Sequence, residues 1–315
     1  MNKKVLKGTI AIGISAVMWG VDGVVLTPRL YNLDVGFVVF MLHLIPFLLM
    51  NVFMLKQYKL VKEFTKKDIL IFLTIALTGG ALGTLSIVKA LFLVNFKQLS
   101  VVVLIQKLQP IFAILLAAIL LKEKITGRFI FWGLLAIVAG YFLAFKFNVP
   151  TVSTDRNYIL AAIYALVAAF CFGSSTVFSK IALKKYNFKT VTFFRYGFTV
   201  VVMFLYVLTT QKFQQLNLVT KSNWIFFIII GLTTGSGAIF LYYYGLRRVN
   251  AIISVIVELI FPITAIILDF LFNGTKLELI QWISAILMII SIIKISYKRT
   301  LFKDLINKRN ILFKR

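Results

Sequence analysis

Lys107 and Glu258 each stand inside an apolar run and each precede a proline, Pro110 by three residues and Pro262 by four. Proline lacks a backbone donor and loosens the turn before it, releasing carbonyls that can serve a polar site. A cation and an anion so placed can act in two ways. They can form an ion pair that opens when a solute arrives, or they can take the carboxylate and the ammonium of a zwitterion such as an amino acid. The bland alternative is a permanent buried pair that fixes helix register. A charge at the centre of a membrane helix costs about 2.5–3.5 kcal/mol on insertion scales, so both side chains must face protein or water. Gln106 and Gln109 flank the lysine and add neutral hydrogen bonds.

Other polar residues inside apolar runs extend the set. Asp22 follows Trp19-Gly20 and is a proton-coupling candidate beside Glu258. His43, with an unperturbed pKa of about 6.5, could sense or carry a proton. Arg195 could hold an anionic group, or could meet lipid phosphate near a span end. Tyr242, Tyr243 and Tyr244 form a run, so at most one or two can face a cavity, and such tyrosines often anchor at the interface. The expected substrate-binding set is Lys107, Glu258, Gln106, Gln109, Arg195, Trp19 and Tyr243, with Glu258, Asp22 and His43 for proton coupling. Lys89, Lys180 and Asp269 lie about a turn from a span end, where snorkelling reaches the interface. The small-residue pairs Gly79/Gly83 and Gly231/Gly235 are read as packing positions.

Enzyme chemistry finds little support. His43 is the single histidine and Cys171 the single cysteine, so no ligand cluster exists for a metal. Gly173-Ser174-Ser175 resembles a nucleophile turn, but its base would have to come from His43 on a distant helix. Paired acidic motifs for Mg²⁺ and a P-loop are both missing from the sequence. No cofactor is expected.

The elements that must position these residues are membrane helices. Of 315 residues, 61% are hydrophobic and 14% charged, and the mean hydropathy is +0.96. Soluble domains average about 45–50% apolar and about 25% charged, so an ordinary globular protein is excluded. A bilayer core needs roughly 20 apolar helical residues. Ten such runs are read: Leu6–Thr27, Val35–Leu55, Ile69–Phe92, Gln98–Leu121, Arg128–Phe145, Tyr158–Leu183, Thr190–Thr210, Trp224–Leu246, Asn250–Asn273 and Leu279–Tyr297. Lys3, Lys4 and Lys7 before the first run look like a signal peptide. That run is longer than a typical h-region and lacks a cleavage site, so an uncleaved span is expected.

The net charge of +25 would suggest nucleic acid in a soluble chain. Its distribution argues otherwise. Of the 35 cations, 24 fall on one side of the runs, 7 on the other, and 4 (Lys89, Lys107, Lys180, Arg195) inside them. The positive-inside rule then puts both termini in the cytoplasm, as an even number of spans requires.

The runs also repeat. Gln109-Pro110-Ile111 parallels Phe261-Pro262-Ile263, with Ser100 and Ser254 upstream. Trp19-Gly20 parallels Phe172-Gly173, Thr78-x-Gly80 parallels Thr233-x-Gly235, and His43 matches Arg195, all at offsets of 152–155 residues. Two five-span repeats follow, residues 1–148 and 149–297, with a basic cytoplasmic tail at 298–315. Five is odd, so the second repeat enters from the opposite side and the halves are inverted. Secondary transporters share that architecture, with the site near the midplane between the repeats.

At these residues the chain resembles the drug/metabolite transporter superfamily, EamA type. The resemblance rests on Trp19-Gly20, Phe193-Phe194-Arg195, Lys89-Ala90-Leu91 and Leu108-Gln109-Pro110-Ile111-Phe112-Ala113, the last run ending in Leu121-Lys122-Glu123-Lys124, and covers residues 5–297. It implies transport of small metabolites, often export of amino acids or similar solutes, with a cavity between the halves. It also gives weight to Lys180, where the family often carries a lysine, and to His43 and Arg195, where it often has arginine. Two departures concern the loops. The ninth run ends in Asn273-Gly274-Thr275-Lys276 without the usual Gly-Glu, and the tenth lacks counterparts of Gly133 and Gly140.

The expectation is therefore an all-α, multi-pass protein of the bacterial inner (plasma) membrane. It would carry a small polar or zwitterionic metabolite by alternating access, with export favoured by the resemblance alone. Expected partners are a small-molecule substrate, the lipid bilayer, protons as coupling ion and a second copy in a homodimer, and not nucleic acid. Two other readings stay open: a carrier for anionic solutes using Lys107 and Arg195, and a non-transporting membrane subunit such as a flippase component.

Overall fold

The computed structural model describes residues 3–94, 102, 105–106, 108–148, 156–273 and 278–312, with the side chains of 144, 269, 272–273 and 296–312 left aside. The described residues are helical, and no strand occurs among them. Seven helical stretches are long and apolar enough to cross a membrane: α1 (Lys3–Leu30), α2 (Val35–Glu63), α3 (Lys66–Leu93), α6 (Arg156–Lys185), α7 (Phe188–Thr209), α8 (Lys221–Leu246) and α9 (Ala251–Leu268). Three shorter apolar helices complete the set, α4 (Gln109–Leu120), α5 (Gly127–Leu143) and α10 (Leu279–Ile295). The outer surface carries residues that water would reject, among them Phe53 at 85%, Ile119 at 70% and Val52 at 67% exposure. On this scale such a surface fits lipid, and the chain is a multi-pass membrane protein.

Side chains at the helix starts satisfy the first backbone donors. Asp34 accepts from the amides of Gly36 and Phe37 at the head of α2, and Asn187 accepts from Thr190 at the head of α7. Thr65 and Asp68 form a reciprocal capping box on α3, as Thr220 and Asn223 do on α8. Both α3 and α8 widen into a π turn at matching places, Ala76–Leu82 and Gly231–Gly235. A 3₁₀ segment follows α2's α-helical part at Leu55–Glu63, and another follows α7 at Lys212–Leu218.

The packing is an exchange of partners. Helix α1 lies against α8 and α9, while α6 lies against α3 and α4; α2 packs on α7, and α5 on α10. The main apolar core accordingly mixes residues from both ends of the sequence, including Ile12, Phe72, Val177, Phe193, Tyr243 and Ile256.

Two runs differ in extent from the expectation. The first run continues past Thr27 through a π turn at Asp22–Leu26 and a 3₁₀ turn at Thr27–Leu30. The ninth divides into Ala251–Val257 and Ile260–Asn273. The intervening turn at Glu258–Leu259 lies just before Pro262, where the missing donor was expected to loosen the helix. The first part of the fourth run, including Ser100, lies outside the described residues.

Candidate functional site

The turn at Glu258 sets its carboxylate between α4 and α8. Gln109 Nε2 donates to Glu258 Oε2 at 2.8 Å, and the Tyr242 hydroxyl donates to Oε1 at 2.6 Å. Since the tyrosine hydrogen goes to the carboxylate, Thr176 on α6 donates to the Tyr242 oxygen across 2.9 Å. Trp19 closes the group from α1, its ring centroid 5.3 Å from that of Tyr242. Four helices thus converge on one carboxylate. Trp19, Gln109 and Glu258 are half-buried while Tyr242 and Thr176 are buried, so the former give the cluster its accessible face; Gln106 is half-buried as well.

A second network lies beside the first and is sealed. Arg195 Nη2 donates to the Gly79 carbonyl at 2.6 Å, and its Nη1 donates to the Tyr243 hydroxyl at 2.9 Å. Tyr243 in turn lies 2.7 Å from Ser179 Oγ. Arg195 is 7% exposed, and Tyr243 and Ser179 are fully buried. The Gly79 carbonyl belongs to the π turn of α3, where the shifted hydrogen-bond register leaves an acceptor for the guanidinium. Gly79 must be glycine for this contact, because a Cβ there would run into Ser175 Oγ and the Arg195 guanidinium. The arginine does not reach a span end to meet lipid phosphate; its charge is held by a carbonyl and a phenol inside the bundle.

The remaining candidates scatter. His43 is buried on α2, its Nδ1 bonded to the Val39 carbonyl at 2.8 Å and its ring 5.2 Å from that of Tyr196. A carbonyl only accepts, so Nδ1 carries the hydrogen. Asp22 is half-buried in the π turn of α1, and its Oδ1 has no hydrogen-bond partner among the described residues. Lys107, the proposed partner of Glu258, lies outside the described residues, as does the side chain of Asp269. Tyr244 faces neither network; Arg248 sits over its ring at 3.4 Å.

Two charged residues serve helix ends instead. Lys180 Nζ donates to the carbonyls of Leu246 at 2.6 Å and Val249 at 2.5 Å, where α8 finishes and its dipole is negative. Glu123 accepts from the amides of Ala251 at 3.0 Å and Ile252 at 3.2 Å, capping α9. The second role gives a physical reason for the glutamate in the Leu121-Lys122-Glu123-Lys124 motif. From the run Tyr242–Tyr244 sequence reasoning chose Tyr243 rather than Tyr242, and it missed Thr176 and Ser179. The signal for the two hydroxyls was present, because Thr176 and Ser179 lie three residues apart on one face of α6.

A multi-pass helical protein with a polar cluster gathered from several spans is built like a membrane carrier. The chain belongs to the EamA-like transporter family, whose pattern matches residues 6–146 and again 159–297. It is therefore a small-metabolite transporter and not an enzyme. Among curated proteins, the riboflavin transporter ImpX of Fusobacterium nucleatum is 52% identical over 292 residues, covering 92% of this chain and 98% of its own. A crystal structure at 15% identity aligns over 92% of this chain and 94% of its own with a TM-score of 0.65, a likeness of fold alone.

Proposed function

We propose that this protein carries riboflavin, or a flavin close to it, across the bacterial plasma membrane by alternating access. The observation that carries this reading is the 52% identity, spread over 92% of the chain, with a riboflavin transporter. The cluster's chemistry supports it. An isoalloxazine is a flat, neutral aromatic with a hydrogen-bonding edge, and Trp19 and Tyr242 present aromatic faces beside the Gln109 amide and the Glu258 carboxylate. A zwitterion fits less well, because both Glu258 oxygens are already engaged by neutral donors. Gln106 and Lys107 remain substrate-binding candidates in this reading, while Arg195 and Tyr243 brace the wall behind the cluster.

The architecture in this reading is ten spans in two inverted five-helix repeats, 1–148 and 149–297, with both termini and the tail at 298–315 in the cytoplasm. Three observations support it. The helix partners exchange between halves, α1 with α8 and α9 against α6 with α3 and α4. Capping boxes and π turns recur at an offset of 155 residues. The family pattern matches the chain twice. Halves so related can rock about the Glu258 cluster and expose it to each side in turn, with protons carried at Glu258, Asp22 and His43.

Purified protein in liposomes is expected to exchange riboflavin, followed by its own fluorescence, without competition from amino acids. Correctly inserted protein that fails to move riboflavin overturns the reading, and competition by a zwitterion returns the amino-acid class. Net loss from preloaded vesicles would mark the export implied by the family resemblance, and accumulation would mark uptake.

A further inference from the structure

Among the polar contacts between the halves, four side-chain ties lie at the two ends of α2. At one end, Lys185 Nζ meets Asp68 Oδ2 at 2.6 Å, and Thr190 Oγ1 donates to Gln57 Oε1 at 2.7 Å. At the other, Asn32 and Asn223 exchange amide hydrogen bonds of 3.2 Å and 3.0 Å, and Lys212 Nζ lies 3.2 Å from Asp34 Oδ2. The α-helical part of α2, Val35–Met54, separates the two ends, and its 20 residues span about 30 Å at 1.5 Å per residue.

The two sets are images of each other. Asp68 and Asn223 are the third residues of the capping boxes on α3 and α8, at an offset of 155. Lys185 ends α6 and Asn32 follows α1, at an offset of 153. Gln57 and Lys212 lie in the matching 3₁₀ segments, again 155 apart. Asp34 and Asn187, which cap α2 and α7, are 153 apart, and Asn187 accepts from the Thr190 amide at 2.9 Å. Each tie therefore joins the two halves, and each end holds one ionic tie beside neutral ones, Gln57–Thr190 at one end and Asn32–Asn223 with the Asp34 amide on Gln215 Oε1 (3.0 Å) at the other.

The chemistry suits contacts that open. A capping residue is fixed by its own helix, so the partner meets a preset acceptor and can leave without disturbing it. The Lys185 side chain is 52% exposed and that of Lys212 is 39% exposed. Ion pairs this open to water hold weakly. A cavity of about 240 Å³ lies at the Asp68–Lys185 tie, walled by Thr65, Phe72, Ile181 and Tyr186, where a mouth could widen.

We propose that the two sets are the gates of the carrier. Asp68–Lys185 with Gln57–Thr190 closes the cytoplasmic mouth, and Asn32–Asn223 with Asp34–Lys212 closes the external one. This rests on the rocking-carrier reading above. A tie that only staples the fold would affect both faces alike; a gate acts on one.

The test reads access rather than transport, so it stands apart from the substrate. In full-length protein with Cys171→Ala, a single Gln109→Cys substitution is labelled by a membrane-impermeant maleimide from each face. The pair Asp68→Ala/Lys185→Ala is expected to raise labelling from the cytoplasmic face several-fold and lower it from outside; Asn32→Ala/Asn223→Ala is expected to do the reverse. Equal changes on both faces, or none, overturn the gates. Should an alanine pair fail to insert, Asp68→Cys/Lys185→Cys takes its place, labelled after oxidation and again after reduction. Cytoplasmic labelling of a remote exposed cysteine is the control. Oxidation is expected to block cytoplasmic access to the cluster and reduction to restore it, and access unchanged by oxidation overturns the gate. Failure of riboflavin exchange in the wild type refutes the substrate reading and leaves these outcomes to be judged alone.

Discussion

Tyr242 and Glu258, sixteen residues apart on two different helices, share a hydrogen bond of 2.6 Å where α1, α4, α6, α8 and α9 come together. The phenol has Thr176 on its other side at 2.9 Å, so the carboxylate is tied through one tyrosine to α6. Tyr242→Phe keeps the ring against Trp19 and removes only this donor. Hydrogen bonds to charged groups contribute roughly 1.5–3 kcal/mol, so affinity for riboflavin, the substrate proposed above, is expected to fall on the order of tenfold to a hundredfold. Titration of tryptophan fluorescence in detergent measures it, and unchanged binding would show that the Glu258 position does not matter to the ligand.

Gly79→Ala tests the sealed network. The new Cβ would meet Ser175 Oγ and the Arg195 guanidinium. Overpacking of this kind costs about 1–3 kcal/mol, so a lowered melting temperature is expected. Ser175→Ala in the same chain relieves one of the two contacts and should recover part of the loss. Identical melting of Gly79→Ala and wild type would mean that α3 and α6 are not this close.

Much of this arrangement is legible in the sequence for a physical reason. Apolar runs of about twenty residues have one stable fate in a bilayer, and the prolines, Thr-x-Gly and Trp/Phe-Gly pairs carry the repeat in plain residue types. The break at Glu258–Leu259 follows from Pro262 alone. What stays hidden is which side chain meets which. Arg195 and Tyr243 are expected beside a substrate, yet the π turn of α3 gives the guanidinium a carbonyl to bind, and no local residue pattern announces that turn. Lys180 likewise reads as a snorkelling lysine until the end of α8 is found beside it. Lysine chemistry is identical in both settings; only tertiary placement separates them.

Lys180 and Glu123 should prove to be helix-end residues. Lys180→Ala removes a cation from the carbonyls ending α8, and Glu123→Ala removes an anion from the amides starting α9. Charges at helix ends contribute about 0.3–1 kcal/mol exposed and up to about 2 kcal/mol when partly buried. Each variant is expected to melt a few degrees lower while riboflavin affinity stays within about twofold, a change below the roughly 1.4 kcal/mol that marks a tenfold effect. A large loss of affinity with normal melting would move either residue into the substrate path.

Proton coupling has a sign that can be worked out whichever way the substrate moves. Protons entering from outside drive uptake when they accompany the substrate inward, and drive export when they exchange for it. Either way, acid outside at fixed internal pH speeds net movement, and raising external pH slows it. Substrate exchange at equilibrium needs no net proton flow and should be insensitive to an uncoupler that collapses accumulation. Glu258→Gln keeps the side chain's shape and one of its two acceptor oxygens, so it can still accept from Tyr242 while its new NH2 donates to a turned Gln109 amide, yet it cannot cycle a proton. This variant is expected to retain exchange while losing both accumulation and the dependence on external pH. Initial rates in vesicles held at constant internal pH provide the measurement. Wild-type rates that stay flat as external pH rises would make the protein a facilitator, and accumulation surviving in Glu258→Gln would pass the proton's role to Asp22 or His43.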